Sequence, residues 1–315
     1  MVLILDEFGL LFINAVSIGI EVVSVLASPS LAPPQLVITI AIPAANKILF
    51  ITSFYWLISD LNNYFATGWK HSSARSCKMN YMDIKKPLIL LHGAIGSSVQ
   101  LQPLRESLHD VFDVHVLDFP GHGGKALPEH FSIPYFAAVV EAYVKEHMLG
   151  PIHVFGYSMG GYVAAYLALH FPDVVDKIAT LATKFHWTEE IAAKEIKMLQ
   201  PDVIRQKLPA FAKILEQRHQ PQDWRTVLQM TATMLSVLGK ENAMHIEDYA
   251  QIQTPALIML GDRDKMVSVE ETMAVYQGLP KAQLSILPQT AHPIEATDME
   301  LLSFMLIRFF VEAKE

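Results

Sequence analysis

Short apolar runs alternate with segments of helical spacing through the C-terminal three quarters of the chain. Six runs are apolar and β-like, at 88–91, 114–117, 152–155, 176–182, 255–261 and 283–287. Five segments have apolar residues at helical spacing, at 98–108, 133–148, 160–170, 268–277 and 298–312. Two of these helices begin with capping-box patterns, Ser268-x-x-Glu271 and Thr297-x-x-Glu300. Alternation of this kind predicts an α/β protein with a mostly parallel sheet and helices on both faces.

One long interval breaks the alternation. After the run 176–182, which is counted as the sixth recognisable strand, helical spacing continues through 189–199, 202–217 and 222–238. The next β-like run begins only at Pro255. We therefore predict a helical insertion at 186–248 that divides one core into two parts, 79–185 and 249–315.

Residues 1–78 form an apolar extension with a different composition. Two long apolar stretches, 1–27 and 35–59, flank a proline-rich link, and either is long enough to span a bilayer. Basic residues directly after them would place the remainder on the cytoplasmic side. Against this, Glu21 and Lys47 interrupt the stretches, and a charge at mid-membrane costs about 2.5–3.5 kcal/mol on insertion scales.

A second interpretation of the extension is that it is non-native or disordered. Met79 or Met82 would then begin a self-contained core a few residues before its first β-like run. Membrane hairpin and spurious start stand as equal alternatives. Any membrane contact is expected only through residues 1–59, and the remainder is expected in the cytoplasm.

Composition limits the partners. The 315 residues carry a net charge of −8 without a basic stripe, which argues against nucleic acid. The single cysteine, Cys77, excludes an internal disulfide and fits a reducing compartment. One cysteine and scattered histidines provide no close pair of metal ligands, so neither a metal nor another cofactor is expected.

The most informative motif is Gly156-Tyr157-Ser158-Met159-Gly160, which lies between a β-like run and an Ala-rich helix. A serine in such a sharp strand-to-helix turn has a strained backbone and an exposed hydroxyl, and the flanking glycines leave room for the turn. Possible partners follow two later strands. Asp262 and Asp264 follow the run 255–261, and His292 follows 283–287. Catalytic groups gather at such carboxyl ends of strands in open α/β sheets.

With these residues in this order, the chain over 87–312 resembles the α/β-hydrolase family. Two upstream motifs agree: His92-Gly93 after the first β-like run, and Asp118-Phe119-Pro120-Gly121-His122-Gly123 after the second. The resemblance implies an α/β-hydrolase fold in which the helical insertion is a cap that covers the site. It also implies that His92 and His122 support their loops by hydrogen bonds.

The resemblance also implies a set of site residues. Ser158 would be the nucleophile and His292 its base. Asp264 fits the family pattern Gly-x-x-Asp-x-x-Val, so it is preferred over Asp262 as the acid. The remaining expected positions are the oxyanion N–H groups of Ala94 and Met159 and the substrate-pocket residues Phe185, His186 and Trp187.

The function expected from this resemblance is a serine hydrolase that cleaves a small carboxylic ester or related acyl compound through an acyl-enzyme. Two alternatives stay open. The same triad would serve a carbon–carbon bond hydrolase or the menaquinone-pathway synthase that eliminates pyruvate, although the synthase commonly has Arg where this chain has Tyr162. A non-catalytic binding protein on a hydrolase scaffold is the other alternative, and the retained triad argues against it.

Overall fold

The computed structural model describes residues 85–311 and five short strands nearer the N-terminus. It divides into two compact units, Met1–Ile84 and Lys85–Glu315. In the first unit the strands pair antiparallel in sequential order. They are β1 Val2–Leu5, β2 Leu11–Ala15, β3 Ile20–Leu26, β4 Val37–Ala41 and β5 Ile48–Phe50.

Both apolar stretches of the extension thus contain strands. The other residues of 1–84 lie outside the described residues, and these include Cys77, Met79, Met82 and the predicted core start at 79. No helix that the structure describes has both the length and the apolar character needed to cross a bilayer.

The second unit is built on a sheet of six strands within residues 85–311. All neighbouring strands run parallel, in the order β11-β10-β9-β8-β6-β7. The strands are β6 Lys86–Leu91, β7 Phe112–Leu117, β8 Ile152–Tyr157, β9 Val175–Leu181, β10 Ala256–Gly261 and β11 Ala282–Leu287. Chain order reverses between β6 and β8, so their carboxyl ends flank the crevice where open α/β sheets bind ligands.

Nine α-helices are described in the same range. They are α1 Gln102–Leu108, α2 Ile133–Glu146, α3 Met159–His170, α4 Glu189–Met198, α5 Pro201–Lys207, α6 Pro209–His219, α7 Trp224–Lys240, α8 Val269–Gly278 and α9 Met299–Val311. α1 and α9 pack on one face of the sheet through residues such as Leu104 and Leu306. α2, α3 and α8 cover the other face. The predicted two-faced layering is confirmed.

The helical insertion holds α4 to α7. It follows β9, which is the fourth strand of this sheet in chain order, whereas the sequence count placed it after a sixth. The predicted single helix 202–217 is two helices, because a proline at 209 has no N–H to donate and disfavours helical backbone at Leu208. Asn242 ties the two ends of the insertion together, accepting from the Trp187 N–H over 3.0 Å and donating to its carbonyl over 2.9 Å.

The two helices predicted to begin with capping boxes are capped in other ways in the structure. The Ser268 hydroxyl accepts from the Glu271 N–H over 3.1 Å, but the Glu271 carboxylate is directed to another loop and closes no box. At the last helix Asp298 replaces Thr297 as the cap, since its carboxylate accepts from the N–H groups of Glu300 and Leu301. A loop distant in the chain thus engages Glu271, whereas Asp298 caps its helix through local contacts.

Candidate active site

Ser158 lies at the turn between β8 and α3. Its backbone has a φ of 51°, and its N–H donates to the Leu181 carbonyl over 2.8 Å. The glycines of the motif are required by close packing. A Cβ on Gly156 would lie 2.2 Å from the Gly160 carbonyl oxygen, and one on Gly160 would lie 2.4 Å from that of Leu91. The strained turn is therefore held by backbone contacts that larger residues would disrupt.

Ser158, His292 and Asp264 form one hydrogen-bonded chain. The Ser158 Oγ lies 3.3 Å from Nε2 of His292, and Nδ1 of the same ring lies 2.8 Å from Oδ2 of Asp264. Because the carboxylate can only accept, Nδ1 carries the proton and Nε2 is free to accept from the serine. This tautomer allows the imidazole to take a proton from the hydroxyl as it attacks a carbonyl.

The side chain of Asp264 is fully buried and is held from two sides. Its Oδ1 accepts from the N–H groups of Met266 and Val267 over 2.8 and 2.9 Å. Burial alone raises the pKa of this carboxyl, but the hydrogen bond from His292 and the backbone donors outweigh it and hold the pKa below its ordinary value. Asp262 instead accepts from the Thr290 N–H over 3.1 Å, in the turn before His292.

The turn Gly93–Gly96 follows β6 and lies against the serine. A Cβ on Gly93 would lie 3.2 Å from the Ser158 Cβ. The Gly96 N–H closes the turn on the Gly93 carbonyl over 3.1 Å, and Ile95 has a φ of 51°. Met159 is the first residue of α3, where a backbone N–H has no partner within the helix. The fold thus brings the turn that carries Ala94 close to Ser158, and the oxyanion role of the Ala94 and Met159 N–H groups stays a prediction.

Two buried histidines hold the loops around this turn. His92 Nδ1 donates to the Gly93 carbonyl over 2.7 Å, and its Nε2 accepts from the Phe119 N–H over 3.2 Å. Burial lowers the pKa of His92 to about 4, so the ring is neutral, as both bonds require. His122 packs 5.0 Å from it between ring centroids, and burial holds its pKa well below the ordinary value. His92 thus gives the hydrogen-bonded loop support expected from the sequence, and Nδ1 of His122 lies 3.3 Å from the Pro120 carbonyl oxygen.

Phe185, His186 and Trp187 lie where β9 enters the insertion. Phe185 and His186 line a cavity of about 450 Å³ together with Met244 and Tyr249, and neither Ser158 nor His292 belongs to its lining. Trp187 is buried and bonded to Asn242. The structure therefore places these three residues at the junction between β9 and the insertion. Their contact with a substrate at Ser158 stays a prediction.

Sequence reasoning missed several groups that fix the site. The Tyr157 hydroxyl donates to the His292 carbonyl over 3.1 Å. The Glu271 carboxylate accepts from the N–H groups of Phe185 and His186 over 2.8 and 2.9 Å. Tyr157 stands directly before the serine, so its position was a usable signal. Glu271 had none, because its partners are more than 80 residues away in the chain.

Comparison with known proteins agrees with this fold. Residues 86–205 match the family model described as the alpha/beta hydrolase fold. A pimeloyl-[acyl-carrier protein] methyl ester esterase of Vibrio atlanticus is 26% identical over 247 residues, covering 70% of this chain and 93% of that protein. The chain has the α/β-hydrolase fold and resembles that superfamily in sequence. Its relatives include named hydrolases, and it is an enzyme of that kind.

Solved α/β-hydrolase structures share the fold at lower identity. A thermophilic esterase from Thermogutta terrifontis superimposes with a TM-score of 0.59 at 20% identity, over 71% of this chain and 89% of that one. A 2-hydroxy-6-oxo-6-phenylhexa-2,4-dienoate hydrolase from Rhodococcus gives 0.60 at 18% identity, over 72% and 91%. Since both superimpose about equally well, the fold alone does not choose between their reactions.

Proposed function

We propose that this α/β hydrolase cleaves a small carboxylic ester through an acyl-enzyme formed on Ser158. The observation that carries the proposal is the hydrogen-bonded chain from the Ser158 hydroxyl through His292 to buried Asp264, with its tautomer fixed for proton removal from the serine. Serine at its ordinary pKa is a weak nucleophile and needs such a base.

In the proposed reaction, the Ser158 Oγ attacks the ester carbonyl while Nε2 of His292 takes its proton. Asp264 holds the ring and stabilises the imidazolium. The N–H groups of Ala94 and Met159 receive the charge that develops on the carbonyl oxygen. The imidazolium then protonates the departing alkoxide, and water attacks the acyl-enzyme through the same histidine to release the acid.

An ester is favoured over other acyl compounds by the relative of Vibrio atlanticus, a methyl ester esterase that this chain matches over most of its length. We therefore expect a small alcohol as leaving group. Carbon–carbon hydrolysis uses the same triad, so the reaction has to be decided by its products.

The full-length protein should hydrolyse p-nitrophenyl esters, with a rate that depends on acyl length, and should release acid from the corresponding methyl esters. Ser158→Ala and His292→Ala should each abolish turnover while the far-ultraviolet dichroism stays unchanged, because triad members act as a unit with losses near 10⁶. His170→Ala, an exposed histidine of α3, is the matched control. If either triad variant kept more than about a tenth of the wild-type activity, the proposal would be contradicted, because loss of a true triad member leaves far less activity.

A further inference from the structure

The last two residues of α6 reach out of the insertion to the turn that carries Ala94. Nη1 of Arg218 lies 3.2 Å from the Ile95 carbonyl oxygen, and Nε2 of His219 lies 3.0 Å from the same oxygen. Both donors thus bind one carbonyl, one for each of its lone pairs.

Ile95 is a residue that needs such support. It is β-branched and has a φ of 51°, a conformation that costs roughly 1–3 kcal/mol and persists only where its surroundings enforce it. The Ile95–Gly96 peptide unit is held by the two donors at its oxygen and by the Gly96 N–H bond to Gly93. The Gly93 carbonyl that accepts this bond shares one planar peptide unit with the Ala94 N–H, so the bond from Gly96 also restrains the direction of the Ala94 N–H.

His219 is built as a neutral bridge. Its Nε2 donates to Ile95, and its Nδ1 accepts from the Gly123 N–H over 3.3 Å, so only the Nε2–H tautomer satisfies both bonds. The ring is fully buried, and burial lowers its pKa. A Cβ on Gly124 would lie 2.4 Å from the Gln220 carbonyl oxygen, so the end of α6 is packed tightly against this second loop.

Arg218 links the turn Gly93–Gly96 to the loop that follows His292, the proposed base. Its Nη2 lies 3.8 Å from Oε1 of Glu295, which follows His292 by three residues. The same carboxylate oxygen accepts from Nε2 of Gln100 over 2.6 Å. One half-buried guanidinium therefore contacts both loops that flank Ser158.

We propose that Arg218 and His219 are positioning residues that hold the Ala94 N–H in its oxyanion geometry through the Ile95 carbonyl, so that the helical insertion controls catalysis as well as access. This inference rests on the proposed acyl-enzyme chemistry. Loss of one whole oxyanion donor costs about 100- to 1000-fold in turnover, and a misplaced donor should cost less.

The test uses Arg218→Met, His219→Leu and the double variant in the full-length protein, with active-site titration to count intact sites. Each single variant should lower kcat about 3- to 10-fold and the double variant about 100-fold, with KM within about threefold, because the lost interaction acts in the transition state. His219→Gln, which keeps a donor for Ile95, should recover most of the loss. Arg225→Met, on the exposed start of α7, should change nothing.

The rate at which a fluorophosphonate labels Ser158 separates this inference from the proposed function. Labelling needs an activated serine and oxyanion donors but no matching substrate. If the wild-type protein labels and cleaves no ester, the proposed function fails while the labelling rates of the variants still test the positioning role. Unchanged labelling and kcat per intact site in Arg218→Met and His219→Leu would overturn the inference. So would a rise in KM at constant kcat, which would assign the pair to substrate binding.

Discussion

Asp264 contacts the His292 imidazole over 2.8 Å, although Asp262 lies only two residues away and is bonded to Thr290 instead. Both residues follow the carboxyl end of β10, but only the Asp264 side chain is buried and directed at the imidazole ring. The choice between them is made by the turn, in which the backbone N–H groups of Met266 and Val267 hold the Asp264 side chain.

This contrast gives a matched pair of variants. Asp264→Asn should lower kcat on the order of 10⁴-fold, because the amide favours the wrong histidine tautomer. Asp262→Asn keeps an acceptor for the Thr290 N–H and should stay within about threefold of wild type, since it removes no group that contacts the ring. Steady-state kinetics with a p-nitrophenyl ester measure both, and the opposite ranking would transfer the acid role to Asp262.

Glu271 provides a test of how the junction between β9 and the insertion is stabilised. Its carboxylate accepts from two backbone N–H groups and lies 3.5 Å from Nζ of Lys184. Glu271→Ala should lower the free energy of unfolding by about 1–3 kcal/mol, because the two donors lose their partner. Glu270→Ala, on the exposed side of the same helix turn, should stay within about 0.5 kcal/mol. Urea unfolding measures both values, and equal effects would show that the Glu271 contacts contribute nothing.

The free energy of unfolding should decrease as pH falls, because the buried histidines are neutral in the folded protein. A histidine whose pKa is lower in the folded state than in the unfolded chain binds fewer protons when folded, so its stabilising effect is present above pH 6.5 and is lost as pH falls towards 4. His92 alone should remove about 2 kcal/mol between pH 7 and pH 5.

Urea unfolding at the two pH values measures this difference. His92→Gln should be less stable than wild type at pH 7 and should have a shallower pH dependence. His109→Gln, an exposed histidine, is the control and should keep the wild-type dependence. An unchanged dependence in His92→Gln would show that His92 does not stay neutral in the folded protein.

The unit boundary predicts which part of the chain carries activity. The proposed triad, the proposed oxyanion turn and the Arg218–His219 pair all lie between residues 92 and 295, within the unit Lys85–Glu315. A fragment of residues 85–315 should therefore keep kcat and KM within about threefold of the full chain, because it retains every residue assigned to the site. An aggregated or inactive fragment beside an active full-length protein would show that the first unit supports the hydrolase core.

The sequence by itself determined the layered α/β fold, the Ser158 turn and the order of the triad residues. These depend on local properties: apolar period, glycine at a crowded turn, and a position just after a strand end. It also indicated Asp264, but only through the resemblance to the family pattern.

Tertiary structure decided the contacts between residues far apart in the chain. Glu271 appeared to be half of a capping box, yet its carboxylate bonds the backbone where β9 enters the insertion. Arg218 and His219 are near the end of an ordinary amphipathic helix, and no local pattern relates them to Ile95. A hydrogen-bond partner 124 residues away leaves no trace in spacing or periodicity, because it is chosen only when packing brings the two backbones together.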